Sequence, residues 1–480
     1  MKNQRGGIIV PYQDSSRQKE TFMGYLSNSD INKLSMGAYG LTLFSQLIIE
    51  PPDNSDWTLR ISDTTNSHFY ANTNKNESSW EIPDTLINDV TLLPIKDYYK
   101  KMVPGSDYGK PIYNLVMKLC VISETQVITD NILDNQLTSV TKNDFQNEIN
   151  IQTDIFFKTL EYLQPLTPGI VYAEIIDDIQ QIEEILVLIE NNGENGIKIS
   201  VENLLNFIKD NRGVGLGIIV MELISPGKTL FQIESQNKNK RRLIRNIGRY
   251  GILQLALQTE YSQNDFHMGN IMIMKDTNYF NNYDYRPFII DFGRAVKIPP
   301  NIMETIRNLV KEDQYIEALQ YLCDNSFAYD AVHDIKYAED YYGWICGDYN
   351  MSGVDYNNYI DEAAKDTNTA VTIMKRDIPR PQPLTLCDQI LIKKLFSERE
   401  KAIDSSIKRM NDLHSQEPDK YPLLPISNQI KNKLYNGMIG GRKQRRKYNR
   451  NRLSNKVSYK NRKTVRGKKR ANKTRKTHKK

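Results

Sequence analysis

Residues 271–274 (Ile-Met-Ile-Met) and 288–290 (Phe-Ile-Ile) are short, wholly apolar runs bounded by polar, turn-rich sequence. Runs of that length read as buried strands. Residues 275–287 between them are rich in Asn, Asp and Tyr and read as a loop. Further strands are predicted over 113–122, 169–176 and 216–224, and another strand-like run ends at Glu50. Helical spacing marks 144–163, where Ile151 and Ile155 fall three and seven positions after Glu148 and place it at the border of an inward face. It also marks 241–261, through Leu243, Ile247, Tyr250, Ile252, Leu255 and Leu257, then 302–323 and 390–410.

Polar stretches punctuate these elements. Residues 1–24 read as a flexible lead-in. Residues 51–110 read as an insertion, far longer than the usual connection of about 4–6 residues. Residues 177–212 look helical and polar, a second insertion. Residues 337–359 read as loop and surface, and a Pro-rich step covers 379–383. From residue 437 almost nothing is apolar, so this tail is expected to be disordered, lacking the surface to bury against its chain entropy.

Charge sharpens that division. The net charge is +6 over 480 residues. Residues 441–480 hold 20 Lys and Arg and no Asp or Glu, which leaves 44 basic against 58 acidic residues elsewhere, a net −14. An acidic body thus ends in a basic tail. Such a tail suits nucleic acid, an acidic protein, an anionic surface or an import receptor, or serves only solubility. The hydrophobic fraction of 39% and a mean hydropathy of −0.57 fit a soluble protein. No apolar run approaches the roughly 18 residues of a membrane span. The first residues lack the apolar core of a signal peptide. Four cysteines, Cys120, Cys323, Cys346 and Cys387, show no paired spacing, which predicts reduced thiols and an intracellular, cytoplasmic or nuclear setting.

The chemistry concentrates in Asp265-Phe-His-Met-Gly-Asn270 and in Asp291-Phe-Gly293. If the two apolar runs pair antiparallel, the start of the first lies beside the end of the second. Asn270 and Asp291 then reach one edge of the hairpin, and Asp265 faces the same space. Oxygen ligands of this kind suit Mg²⁺, which takes one or two carboxylates plus phosphate and water.

This spacing resembles the protein-kinase-like superfamily: a catalytic-loop Asp, an Asn five residues on, then Asp-Phe-Gly after the next hairpin. Asp-Phe-His-Met-Gly-Asn is closer to aminoglycoside and choline kinase-like enzymes than to ordinary protein kinases. Gln263 and Asn264, ahead of Asp265, depart from the usual His-Arg or His-Gly. No Ala-Pro-Glu follows Gly293. The richness in Asn, Lys, Ile and Tyr resembles large DNA viruses of protists, which would add a host cell or a virion as the setting.

The resemblance implies an α+β, two-lobed protein-kinase-like fold: a β-rich small lobe over 25–224, a helical large lobe over 225–436 and the basic tail over 437–480. It implies ATP and Mg²⁺ as cofactors. Ser35, Gly37, Gly40 and Thr42 match the phosphate-binding glycine loop, though a Gly-x-x-Gly turn between strands is more often a plain hairpin. Lys118 matches the lysine that holds ATP phosphates, against the reading of a lysine snorkelling from an edge strand. Glu148 matches its helix partner, against that of a solvated charge. Met221 guards the adenine pocket, with the Glu222 carbonyl and Ile224 amide at the base edge, or else 216–224 is simply a core strand. Asp265 is the base that meets the acceptor hydroxyl, Asn270 and Asp291 are metal ligands, and His267 is either an added positive charge or a structural imidazole. The implied reaction is transfer of the γ-phosphate to a hydroxyl of a protein or a small molecule. The competing reading is a pseudokinase or virion-type structural protein binding nucleic acid through its tail.

Overall fold

The computed structural model describes residues 22–37, 40–62, 68–79, 82–83, 86, 114–125, 137–160, 165–194, 196–224, 227–230, 232–233, 238–266, 268–280, 283–325 and 384–418. The chain divides into two units, Met1–Ile430 and Lys431–Lys480. The second lies wholly outside the described residues, as do the rest of the basic tail and residues 337–359 and 379–383.

The first unit is a mixed α+β structure whose N-terminal part is rich in strands. A short helix α1 (22–27) leads into β1 (Ser29–Gly37) and β2 (Gly40–Leu47). Then come β3 (Trp57–Ile61), β4 (His68–Asn72), β5 (Glu77–Ser79), β6 (Asn114–Ser123), β7 (Val140–Thr141) and helix α2 (Lys142–Leu160). After β8 (Ile170–Ile176), helices α3 (Ile179–Asn191) and α4 (Ile197–Asp210) precede β9 (Val214–Glu222). The main sheet runs β1-β2-β6-β9-β8 with antiparallel neighbours, and β7 lies parallel against the end of β6. The predicted strands over 113–122, 169–176 and 216–224 are its inner and outer members, and their largely apolar character reflects extensive burial.

One face takes α2. Cys120, Ile122, Ile170, Ala173 and Ile219 from the sheet close over Phe145 and Ile149 of the helix. The approach is tight at Gly217, where a Cβ would lie 2.7 Å from Phe145 Cζ. The other face takes α3 and α4, which pack on β8 and β9. Ile182, Ile185, Leu186 and Ile189 of α3 are buried there, as are Ile197, Val201, Leu204, Phe207 and Ile208 of α4. Residues 177–212 are thus a layer of the core rather than a polar insertion. Their charged residues occupy the outer stripe of two amphipathic helices. The α3–α4 connection also holds β1: Ile31 N–H donates to Asn192 O at 2.9 Å and Glu194 N–H to Ile31 O at 3.1 Å.

Two other boundaries move. Phe22 is fully buried and stacks on Tyr172 with ring centroids 4.5 Å apart, so the end of the expected lead-in is part of the packed core. Part of 51–110 forms a separate antiparallel sheet, β3-β4-β5. Its buried Tyr70 ties it to the end of β2, accepting from Ile49 N–H at 2.9 Å and donating to Ile49 O at 3.2 Å.

Beyond β9 come β10 (Lys228–Thr229), α5 (Lys238–Thr259), β11 (Tyr261–Ser262), β12 (Ile271–Phe280), β13 (Tyr283–Ile289) and β14 (Val296–Lys297). Helices α6 (Pro300–Lys311), α7 (Tyr315–Asp324) and α8 (Leu386–Gln416) complete the described chain. The β12–β13 hairpin pairs Ile271 with Ile289 and Phe280 with Tyr283. Residues 275–287 are therefore mostly strand, not loop. Main-chain pairing with a neighbour holds them extended without an apolar alternation. The helix predicted over 302–323 is broken at Asp313, which has φ 63°. Cys323 is disulfide-bonded, so the expectation of four reduced thiols does not hold; sequence spacing does not tell which cysteines a fold brings together. Cys120 and Cys387 are free. No helix among the described residues is long and apolar enough to cross a membrane.

α5 and α8 meet through Tyr250 and Phe396, whose rings lie edge to face at 4.7 Å. A buried carboxylate anchors the other end of this contact. Asp388, 2% exposed, accepts from Arg242 Nε and from Asn246 Nδ2, both at 2.8 Å, and caps its own helix through Thr385 N–H at 2.8 Å. Burial raises the Asp388 pKa, but the Arg242, Asn246 and Thr385 bonds outweigh it and hold the group at about 2, below the usual 3.8. A depressed pKa contributes stability above the unfolded value and loses it as pH falls towards the folded one. Asp388→Asn should accordingly be less stable than the parent near neutral pH. The difference in Tm should shrink as pH drops from about 4 towards about 2, which thermal melts across that range will show.

Candidate active site

Lys118 sits on β6 between Thr42 of β2 and Ile219 of β9. Alternation places Val116, Lys118 and Cys120 on the face that α2 covers. Glu148 stands two turns into that helix. Lys118 Nζ donates to Glu148 Oε1 at 2.7 Å and to Asp291 Oδ1 at 3.1 Å. Three charges from a strand, a helix and a distant loop therefore meet at one ammonium. Their environments differ: the Glu148 side chain is 5% exposed, that of Asp291 46%. Glu148 is the buried counter-charge, and Asp291 is the carboxylate open to an incoming cation.

Burial opposes the Lys118 ammonium, but the charges of Glu148 and Asp291 outweigh it and hold its pKa well above the ordinary value. Burial pushes the Glu148 carboxyl up against the pull of Lys118. Burial also pushes the Cys120 thiol up to about 12. That thiol is a neutral space-filler, not a nucleophile.

The catalytic-loop candidates lie at the other end of the β12–β13 hairpin from its turn. Asn270 O accepts from Ile290 N–H at 3.0 Å, which brings Asn270 beside Asp291. This is the shared edge expected from the two apolar runs. Asn270 Nδ2 donates to Asp265 O at 3.1 Å. With the amide nitrogen engaged inside the loop, its oxygen is the end left for a cation. Asp291 has φ 60° and Asn264 φ 59°, left-handed conformations that Asp and Asn tolerate better than other side chains. Non-glycine residues held there cluster at functional sites. Gln263, taken from sequence only as a departure, is fully buried and hydrogen-bonded to both segments. His267 lies outside the described residues.

The hinge candidates lie at the end of β9, with Met221 and Glu222 its last two residues and Ile224 just beyond. Met221 pairs with Val116, two residues along β6 from Lys118, or roughly 7 Å. Gln152, one turn beyond Glu148, donates to Pro168 O at 3.0 Å and approaches Met221 Sδ at 3.9 Å, linking α2 to this position. Ile224 is 6% exposed, and its carbonyl accepts from Gly227 N–H at 2.9 Å. Glu222 N–H donates to Gly169 O at 3.1 Å.

Gly37 pairs with Gly40 at the end of the β1–β2 hairpin, and residues 38 and 39 lie outside the described residues. Gly40 has a structural reason to be glycine. Its φ is 151°, and a Cβ there would lie 1.8 Å from Leu119 O of the neighbouring strand. Leu34 sits at a bulge between Lys33 and Ser35 and is 55% exposed.

The donor set fits a hard divalent cation. Asn270 and Asp291 offer an amide oxygen and an exposed carboxylate at one edge, the kind of oxygen ligands Mg²⁺ takes alongside water and phosphate. They offer no sulfur or imidazole. Among the described residues no group of three or more His, Cys, Asp or Glu stands ready to cage a metal. A site that shares its ion with a substrate needs no such cage.

No protein-family model matches this chain, and no curated protein does. Among solved structures it is similar to WaaP in complex with acyl carrier protein, at 12% identity over 60% of this chain and 80% of that one. The TM-score of 0.22 does not establish a shared fold.

Proposed function

We propose that this chain is an ATP- and Mg²⁺-dependent phosphotransferase that moves the γ-phosphoryl group to a hydroxyl acceptor. The observation that carries the reading is the meeting of Lys118 with Glu148 and Asp291 at 2.7 and 3.1 Å, with Asn270 at the adjoining edge. On this reading the main sheet with α2 is the small lobe, and α5, the β12–β13 hairpin and α6 to α8 are the large one.

Phosphoryl transfer rests on positioning and charge neutralisation more than on covalent chemistry. Lys118 holds the α- and β-phosphates, oriented by Glu148. Asn270 and Asp291 hold Mg²⁺, which when bound neutralises phosphate charge. Met221, Glu222 and Ile224 line the base, and the Gly37–Gly40 hairpin lies over the phosphates. Asp265 orients the acceptor hydroxyl and takes its proton late, as the new P–O bond forms and ADP departs. The acceptor is better read as a small molecule than as a peptide. Only residues 294–299 separate Gly293 from α6, and β14 is already paired with β11 there, so among the described residues no long segment after Gly293 is at hand to seat an extended chain. The test is a screen of hydroxyl acceptors with γ-labelled ATP. Mg²⁺-dependent label transfer is expected, lowered about 10²- to 10⁴-fold in Asp265→Ala. Transfer at the parent's rate in that variant overturns the assignment.

A further inference from the structure

We infer that Gln263 is the positioning residue that sets the candidate base and the candidate metal ligand at a fixed spacing, and that it does so without a titratable group. The inference rests on the phosphotransferase reading for its kinetic consequences but not for its geometry. Gln263 Nε2 donates to Ile290 O at 3.1 Å and to Asp291 O at 2.6 Å, and Gln263 Oε1 accepts from Asp265 N–H at 2.8 Å. One fully buried side chain therefore bonds the main chain at both acidic residues. Both amide hydrogens and one carbonyl lone pair are used, so the group is matched to this position.

The strain around it gives the clamp something to hold. Asn264 and Asp291, each next to an atom that Gln263 binds, have φ of 59° and 60°. Such conformations persist where the surroundings over-determine them. The pairing of β11 with β14 and the Asn270–Ile290 bond fix the flanks, but neither touches the Asp265 amide or the Asp291 carbonyl. Gln263 bonds the Asp265 amide and the Asp291 carbonyl directly, while Asn270 spans the same segments at Asp265 O and Ile290 N–H.

Chemistry decides which residues can replace it. A neutral histidine has one donor and one acceptor, so it can meet the Asp265 amide and only one of the carbonyls. A glutamate has the same shape, but its ionised form is acceptor-only and would face two carbonyl oxygens. Buried there, its carboxyl would be pushed up, and its protonated form restores one donor. A methionine keeps the volume and loses every bond.

The experiment compares Gln263→Met, Gln263→Glu and Gln263→His with the parent. It measures kcat and ATP KM at saturating Mg²⁺ from about pH 6 to 8, and hydrogen exchange at the Asp265 amide. Expected are a kcat lowered about 10- to 100-fold in Gln263→Met with KM moved far less, and partial recovery in Gln263→His. In Gln263→Glu, kcat should fall with rising pH where the parent's does not. Exchange at Asp265 should quicken in Gln263→Met. A pH profile for Gln263→Glu parallel to the parent's, or unchanged Asp265 exchange in Gln263→Met, would overturn the clamp. A parent protein that transfers no phosphate but protects the Asp265 amide through Gln263 would remove the phosphotransferase reading and leave the clamp standing.

Discussion

Asp265→Ala is expected to lower kcat by about 10²- to 10⁴-fold, the range for losing a positioned acid–base group, with ATP affinity near that of the parent. The loop around Asp265 is held by its main chain. Its N–H donates to Gln263 Oε1 and its carbonyl accepts from Asn270 Nδ2. An alanine keeps both bonds, so the loss falls on the carboxylate and not on the fold. Asp265→Asn should lose nearly as much, because an amide has the shape but cannot take a proton at neutral pH. Steady-state kinetics beside ATP titration separates the two effects. A variant with weakened ATP binding and unchanged kcat would place Asp265 in the nucleotide site instead of at the acceptor.

Lys118→Met should damage both stability and activity. It removes the counter-ion of Glu148, which is 5% exposed and contacts Lys118 at 2.7 Å. Breaking a buried pair by taking one partner costs about 3–5 kcal/mol, and the lower end applies here because Lys118 and Asp291 still see solvent. Without the ammonium, the Glu148 carboxyl shifts further upward, since burial and the Asp291 charge both raise it. A carboxyl whose folded pKa lies above its unfolded value favours the folded state below the unfolded pKa. That contribution is lost as pH rises through the folded pKa. The Tm of Lys118→Met should therefore fall with rising pH more steeply than the parent's. Adding Glu148→Gln should recover most of the stability and none of the activity. The expected loss of turnover is about 10²-fold or more, as for other preorganised charges aimed at developing negative charge. Equal Tm–pH slopes in Lys118→Met and the parent would mean that Glu148 does not depend on this lysine.

The parts of this arrangement that sequence revealed are those in which one residue's neighbours settle its role. Ile271 and Ile289 are apolar because the hairpin buries them, and the two apolar runs by themselves put Asn270 and Asp291 at one edge. Lys118 stood out because a charge inside an apolar strand needs a partner. Glu148 was harder, since only its place at the border of a helical stripe marked it. The misread parts depend on contacts far away in sequence. α3 and α4 look like an insertion because their apolar residues are interleaved with charged and amide ones, yet the stripe of Ile182, Ile185, Leu186 and Ile189 covers a sheet whose strands lie on either side in sequence. Residues 275–287 looked like a loop because a hairpin ladder is held by main chain and does not require apolar side chains. Gln263 was noticed only as a missing histidine. Its value lies in two donors and an acceptor aimed at two separate segments, a geometry that residue type alone does not display.

The central claim is that Lys118, Asn270 and Asp291 converge on one metal-bearing triphosphate, and calorimetric titration of ATP with and without Mg²⁺ tests it most directly. The purified chain and its Asp291→Ala variant are titrated side by side. The geometry predicts ATP binding that Mg²⁺ strengthens in the parent, and loss of that Mg²⁺ dependence in the variant, whose folding is checked by its thermal melt. ATP binding that ignores Mg²⁺, or no ATP binding at all by the folded parent, would contradict it.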